Sequence, residues 1–559
     1  MEPEWRVAAE TDAPEGLAGA PGLSPLMARL LATRGARTPA DVGAYLHPDV
    51  SRLHDPLDLL GAGEAVDRLR LAARTGARIV VFGDYDVDGV TAVAQLRAAL
   101  RRAGADARAF IPHRLRDGYG LRPETVRTVL DELAPALLVT VDCGITATDG
   151  VACARAAGVD VIVTDHHLVP DALPPGALVI NPKQPGCVYP EKQLAGCGIA
   201  FRLAEAFGAA SGAPLARESL LRLACLGTIA DMVPLSGENR IIAAAGLAAL
   251  SSPRSPGLKA LLVECGIGGG RRPTAEDVSF RVAPRLNAAG RVDTAATALA
   301  LFELQAPVEA AAAARKLTLH NVERQSLERR VVTAARERIR RESDPERDAV
   351  LIAGDSAWHR GVLGIAASRL AREYHRPVLL FALEGERASG SGRSIPGVSI
   401  HAILNEMSHF FLEFGGHDQA VGASIPAGSL GAFREEALRV FAERVPAENL
   451  VPVAEAEAEL AVEEITEELF RELEALEPHG VANPRPVFYG RDATPARPFS
   501  PLGESGLRGS LRSRGGPIAC HTWSECDALR AGRAPLEILY RLARNRFGEL
   551  DVEILRARA

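Results

Sequence analysis

The chain has 559 residues, with 64 Lys and Arg against 71 Asp and Glu and a net charge of −7. That length exceeds a single hydrophobic core, so two to four domains are expected, and the acidic balance excludes nucleic-acid binding by bulk charge, leaving it to local basic surfaces. Eight cysteines without a CxxC pair exclude a zinc ribbon or disulfide framework; no apolar run suits a membrane helix, and the acidic start MEPEWRVAAE does not suit a signal peptide, so a cytoplasmic protein is expected.

Residues 1–75 read as a helical lead-in. Ser24 is placed to cap a helix reaching Leu31, Thr38 to cap another over 40–45, and 63–75 is amphipathic. Ile79, Val80, Val81 and Phe82 form an apolar run typical of a parallel strand buried on both faces. Gly83 follows, then Asp84, Asp86 and Asp88 on alternate positions; Gly89 breaks the pattern and a helix is expected over 91–100. Further strands are expected at 108–111, 137–141, 161–164 and 178–180, with helices at 124–132, 151–157 and 219–229 between and after them. This rhythm implies a doubly wound parallel sheet.

The segment 306–341 is rich in Ala, Arg, Glu and Leu and should be one long helix joining two lobes. New strands at 349–353 and 377–381 open a second, smaller α/β lobe. A Glu-rich stretch spans 446–477, after which Arg outnumbers acids, and β-like runs at 536–540 and 550–555 suggest a small OB-like β-barrel. The expected architecture is multidomain α/β: a lead-in over 1–75, a parallel-sheet catalytic domain over 76–304, a connecting helix over 305–345, a smaller α/β domain over 346–445 and an OB-like nucleic-acid-binding domain over 446–559.

Each central strand ends in a potential ligand. The first gives Asp84, Asp86 and Asp88, another Asp142, another Asp165, His166 and His167; Asp231 follows the helix over 219–229. One such aspartate would be better read as a solvated acidic turn. Together they can converge at the carboxyl edge of the sheet, where open α/β folds bind ligands. Crowded carboxylates raise one another's pKa unless a cation neutralises them, and an oxygen-rich site with an imidazole or two suits Mn²⁺ or Mg²⁺, two ions being a common arrangement for phosphoester hydrolysis. On an extended backbone neighbouring side chains diverge, so only one of His166 and His167 is expected to face a metal.

Asp84-Tyr85-Asp86-Val87-Asp88-Gly89, Val141-Asp142-Cys143-Gly144, Asp165-His166-His167 and Ile229-Ala230-Asp231-Met232-Val233-Pro234 resemble, in order, the four motifs of the DHH phosphoesterases. Arg285-Leu286-Asn287-Ala288-Ala289-Gly290-Arg291, Trp358-His359-Arg360-Gly361-Val362, Ser389-Gly390-Ser391-Gly392-Arg393-Ser394 and Gly415-Gly416-His417 extend the likeness to the family's bacterial single-strand-specific exonucleases. The resemblance implies one metal on Asp84, Asp86 and Asp142, and a second on Asp88, Asp142, His166 and Asp231. His167 would support the scissile phosphate or the metal shell, and Asp165 would orient a histidine. The second lobe resembles the DHH-associated domain. There Ser391 and Arg393, in a Gly-rich turn, would engage the 5′ end, with Arg285, Arg291 and His417 as further phosphate contacts.

The family pattern usually carries Phe and Gly where His479 and Ala482 stand, which puts the hinge into the C-terminal domain in doubt. The chain ends soon after that domain, so the further domain of some relatives is expected to be absent. The implied function is hydrolysis of single-stranded DNA from its 5′ end to 5′-mononucleotides, in repair and recombination. A helicase and a single-strand-binding protein are the expected partners, with no membrane association and a monomeric chain. Trp523, Tyr540 and Phe547 could stack on bases, although each is more easily read as core. The alternatives are a nanoRNase or oligonucleotide phosphodiesterase sharing the core chemistry, and an inactive single-strand-binding scaffold.

Overall fold

The structure is a computed structural model. It describes every residue except 1–2, 10–15, 18–21, 115, 269–270, 504–505, 524–525, 532–534 and 546. The chain divides into two compact units, one of His54–Val233 and Ala245–Pro452, the other of Pro3–Leu53, Pro234–Ala244 and Val453–Ala559.

In the first unit, the β-branched apolar runs form strands buried on both faces. Five parallel strands lie in the order Ala107–Phe110, Ile79–Gly83, Leu137–Val141, Asp160–Thr164, Leu178–Ile180. The connections leave Ile79–Gly83 and Leu137–Val141 in opposite directions. At such a switch point the loops part and open a crevice beyond the carboxyl ends of the strands. Asp84 and Asp142 directly follow those two strands.

The helix after the first strand starts at Val87, four residues before the expected start, and runs to Arg102. Asp86 is its N-cap and accepts from the Gly89 N–H at 3.1 Å. Asp88 therefore lies in the first helical turn, and the three aspartates straddle a strand-to-helix turn instead of alternating along a strand. Gly89 does not break the helix. It lets the helix pass the strand end, because a Cβ there would sit 2.5 Å from the Asp84 carbonyl oxygen.

The long helix is Pro307–Glu342. Its Val331, Val332, Ala335 and Ile339 join the core on one face of a second sheet. The strand order there is Glu413–His417, Ala420–Pro426, Arg387–Arg393, Val378–Glu384, Leu351–Asp355, with only the last pair parallel. Phe381, Phe433 and Phe441 fill the other face. The Gly-rich segment around Ser391, expected as a turn, is instead the central strand. Its glycines serve packing, since a Cβ on Gly390 would lie 2.4 Å from the Phe381 ring and one on Gly392 2.7 Å from Val421 Cγ2.

The second unit holds a seven-stranded sheet in the order Ala458–Glu459, Phe488–Ala493, Leu536–Arg544, Leu550–Arg558, Ile518–Thr522, Gly506–Leu511, Pro495–Leu502. Ile538, Tyr540, Leu542, Val552 and Ile554 share one core with Met27, Leu30 and Leu31 of the helix Pro25–Thr33. Ser24 caps that helix, and Thr38 and Asp41 form a capping box on Pro39–Leu46. The lead-in is not helical throughout: Glu4–Val7 is a strand paired in parallel with Val453–Ala456. Trp5 holds it there, edge-on to Tyr489 and under the Arg558 guanidinium, 4.3 Å from its ring centre. Tyr540 is core, its hydroxyl donating to the Leu460 carbonyl, whereas Trp523 and Phe547 are exposed. Ala482 sits at φ 61°, the left-handed conformation that glycine favours, so the departure from the family pattern keeps glycine's backbone geometry.

Candidate functional site

The switch point gathers the acids. Asp142 follows its strand at φ 61°, a conformation aspartate tolerates better than most residues. Asp231 is the C-cap of the helix Arg217–Ala230. Ligand atoms of Asp84, Asp86 and Asp142 lie within 4.8 Å of one another, as do those of Asp88, His166 and Asp231, and those of Asp142, His166 and His167. Asp142 thus belongs to a carboxylate group and to an imidazole group.

The donors fit divalent cations. His166 Nε2 lies 3.1 Å from Asp142 Oδ1, 3.6 Å from Asp231 Oδ2 and 3.8 Å from Asp88 Oδ2. It nonetheless makes no hydrogen bond, and Asp84 Oδ1 is also buried without a partner. Burial, then the charge of neighbouring carboxylates, holds Asp84 and Asp142 well above the ordinary carboxylate range, raises Asp86, and pushes Asp231 up to about 9. Burial brings His166 down to about 4, which keeps it a neutral ligand. Hard oxygens with one imidazole are the donor set of Mn²⁺ or Mg²⁺.

Asp165 is spent within the protein. Its Oδ2 accepts from the Ile145 N–H at 2.9 Å; its Oδ1 accepts from the His166 N–H at 2.7 Å and the His167 N–H at 3.1 Å, and meets His167 Nδ1 at 2.7 Å. Burial opposes its charge, but the His167 hydrogen bond brings its pKa below the usual value. Burial likewise opposes protonation of His167, yet the Asp165 hydrogen bond, with the charges of Asp165, Asp231 and Asp84, carries it to about 9. Both imidazoles face the site, with ring centres 4.5 Å apart, contrary to the divergence expected. The strand ends at Thr164, so strict alternation has already stopped. His417, from the second sheet, lies nearly parallel to His167 at 6.3 Å.

A second group is cationic. Arg393 Nη1 donates to Ser391 Oγ at 3.1 Å, beside the start of the helix Leu363–Tyr374, where Gly364 leaves room: a Cβ there would be 2.8 Å from Arg393 Nη2. Arg291 Nη1 donates to the Gly361 carbonyl at 3.2 Å. Burial, then the charges of Arg114, Arg324 and Arg393, depress the pKa of Arg291, and burial with Arg114 depresses Arg393. Half-buried guanidiniums whose charges depress one another favour an anion among them.

Sequence reasoning missed Arg114, which stacks 4.7 Å over the Tyr85 ring and whose charge reaches Asp84 and Asp86 as well as Arg291 and Arg393. Its place in the loop after Ala107–Phe110, at the carboxyl edge of the sheet, was the available signal. Arg285 does not join this group. Its guanidinium braces the fold through Thr318 Oγ1 and the Arg281 and Glu264 carbonyls. Asn287 of the same motif accepts from the Val87 N–H at 3.0 Å, steadying the helix that carries Asp88.

Residues 78–228 match the DHH family, N-terminal domain; residues 347–443 the DHHA1 domain; residues 456–552 the RecJ OB domain. The single-stranded-DNA-specific exonuclease RecJ of Dickeya dadantii is 34% identical over 98% of this chain and 97% of its own. The Bacillus subtilis protein of that name is 36% identical over 83% of this chain, which spans 58% of that longer relative. The crystal structure of Thermus thermophilus RecJ in complex with Mn²⁺ superposes with a TM-score of 0.84 at 32% identity, covering 100% of this chain and 79% of that one. Three domain matches in the same order, and a relative matched along nearly its whole length, establish that this chain belongs to the RecJ family of DHH phosphoesterases.

Proposed function

We propose that this chain is a metal-dependent exonuclease specific for single-stranded DNA, removing 5′-mononucleotides in the 5′→3′ direction. The observation that carries the reading is Arg114, which stacks 4.7 Å over the ring of Tyr85, the residue between Asp84 and Asp86, and whose charge also acts on Arg291 and Arg393. It couples a cation-binding group to an anion-binding group. Asp84, Asp86 and Asp142 would hold one ion, and Asp88, Asp142, His166 and Asp231 the other. When bound, such ions polarise phosphate oxygens and acidify water. Protonated His167, oriented by Asp165, donates to a phosphate oxygen. Arg114, Arg291, Arg393 and Ser391 grip the terminal 5′ phosphate and so fix the scissile bond one nucleotide along. Cleavage leaves a new 5′ phosphate, which the same groups accept for the next round.

The OB-like region, with Trp523 and Phe547 exposed, provides backbone and base contacts along the strand. Work in repair and recombination, in the cytoplasm, as a monomer with a helicase and a single-strand-binding protein, is carried to this reading by the resemblance to RecJ alone. The test is digestion of a long single strand labelled at either end, with Mn²⁺ and an Asp142→Ala control. Early loss of the 5′ label as mononucleotide, absent in the control, supports it. Cleavage of very short oligomers alone points to an oligonucleotide phosphodiesterase, and binding without cleavage to a scaffold.

A further inference from the structure

We propose that the first turn of the helix Gly196–Ala210 is the element that positions Asp88, and that Gly196 sets the spacing between Asp88 and Asp142. Asp88 is buried, and both of its oxygens are tied to that helix: Oδ2 accepts from the Gly196 N–H at 2.7 Å, Oδ1 from the Cys197 N–H at 2.9 Å. The helix has no cap of its own, since Ala195 at the N-cap offers no side-chain acceptor and the first turn contains no acid. A carboxylate from 108 residues earlier takes that role. Charge-assisted bonds to two consecutive amides at the positive end of a helix fix both the place and the rotation of the group.

The same helix end limits Asp142 by exclusion. A Cβ on Gly196 would stand 2.6 Å from Asp142 Cβ and 2.7 Å from Asp142 Oδ1, the oxygen that faces His166 Nε2. Gly227 forms the opposite wall, where a Cβ would be 2.7 Å from Asp88 Oδ1 and 2.4 Å from Cys197 Sγ. One helix terminus thus holds Asp88 by attraction and admits Asp142 through a missing side chain. Gly196 and Cys197 are positioning residues whose consequence for cation binding rests on the reading of Asp88 and Asp142 as ligands.

Two arms on the full chain separate these claims. In the first, the metal-free protein is melted as parent, Asp88→Asn and Asp84→Asn. An amide at position 88 presents NH₂ to one of the two N–H donors, so Asp88→Asn should lower the melting temperature by about 3 °C or more. Asp84→Asn, which changes a side chain whose buried Oδ1 has no hydrogen-bond partner, should leave it unchanged or raise it. Asp88→Asn melting at or above the parent overturns the proposal, whatever the metal behaviour. In the second arm, Mn²⁺ binding is measured by calorimetry for Gly196→Ala, with Gly63→Ala as control because a Cβ there meets nothing within 4 Å. Gly196→Ala should weaken one of two Mn²⁺ sites by about tenfold or more, with the control at parental affinity. Folded Gly196→Ala binding two ions as tightly as the parent overturns the spacing role. If Gly196→Ala does not fold, the separate spacing role falls and the positioning of Asp88 is decided by the first arm; if the parent itself binds no Mn²⁺, the functional reading fails while the positioning of Asp88 stands or falls on the first arm alone.

Discussion

His167 Nδ1 lies 2.7 Å from Asp165 Oδ1, and that contact fixes the ring beside Asp142 and His166. The same oxygen accepts from the backbone N–H groups of His166 and His167, so one carboxylate fixes both the loop and the ring it presents.

Replacing Asp165 with Asn should therefore impair turnover more than binding. The amide can no longer hold His167 protonated. The expected loss is about 10–100-fold in kcat, with KM for a single strand changed little. Steady-state digestion of a 5′-phosphorylated oligonucleotide measures the split; equal effects on kcat and KM would contradict it.

Arg393→Ala removes one of the proposed grips on the terminal phosphate. A charge-assisted hydrogen bond contributes about 1.5–3 kcal/mol, so kcat/KM on a 5′-phosphorylated strand should fall about 10–100-fold. On a strand with a 5′ hydroxyl the loss should be small. Comparison of the two substrates checks this, and Arg285→Ala, which breaks only bracing bonds, should show no such discrimination.

Cation binding should release protons. Burial and mutual repulsion raise Asp84 and Asp142 above the ordinary carboxylate range and push Asp231 up to about 9, so Asp231 carries a proton at pH 7 in the metal-free chain. A bound cation requires them ionised. Mn²⁺ titrations in buffers of different ionisation enthalpy should show protons released at pH 7, and fewer at pH 9. Chelation should abolish turnover, and Mn²⁺ at about 100 times its Kd should stabilise the fold by about 2.7 kcal/mol.

In the C-terminal unit His521 Nδ1 meets Asp551 Oδ2 at 2.8 Å, and that hydrogen bond, against the opposing effect of burial, raises the histidine's pKa. A group whose folded pKa exceeds its unfolded value stabilises fully below the unfolded value, about 6.5, and loses that contribution as pH rises through the folded one. The urea midpoint followed by tryptophan fluorescence, with Trp523 5.5 Å from His521, should fall from pH 6 toward pH 8. Asp551→Asn should flatten this slope.

The parallel sheet and its acids were legible because buried strands read as continuous apolar runs that stop where Asp84, Asp142 and Asp165 begin. Asp88 is expected among the ligands from the sequence but is misplaced there along the backbone, since Gly89 reads locally as a breaker and only the nearby Asp84 backbone shows why a glycine must stand inside that helix. The strand carrying Ser391 and Arg393 was hidden for a related reason: glycines that make room for Phe381 and Val421 look, in one dimension, like glycines that make a turn. Arg114 belongs to no periodicity or motif; its place in a loop at the carboxyl edge of the sheet was the one signal, and its neighbours in space give that place its meaning. The pairing of Glu4–Val7 with Val453–Ala456 joins segments too distant for any local pattern to announce.

That pairing also orders events in time. Met27, Leu30 and Leu31 leave the ribosome early, but the strands that complete their core, with Ile538, Tyr540 and Val552, are synthesised last. At about 5–20 residues per second, the first strand waits roughly 20–90 s for its partner. During that interval the amphipathic N-terminal segment must stay unpaired while the sheet bearing Asp84 and Asp142 is already complete. A nascent chain stalled before residue 453 would thus contain every residue of the proposed metal site, yet still display an adhesive apolar N-terminal segment, a natural substrate for chaperones.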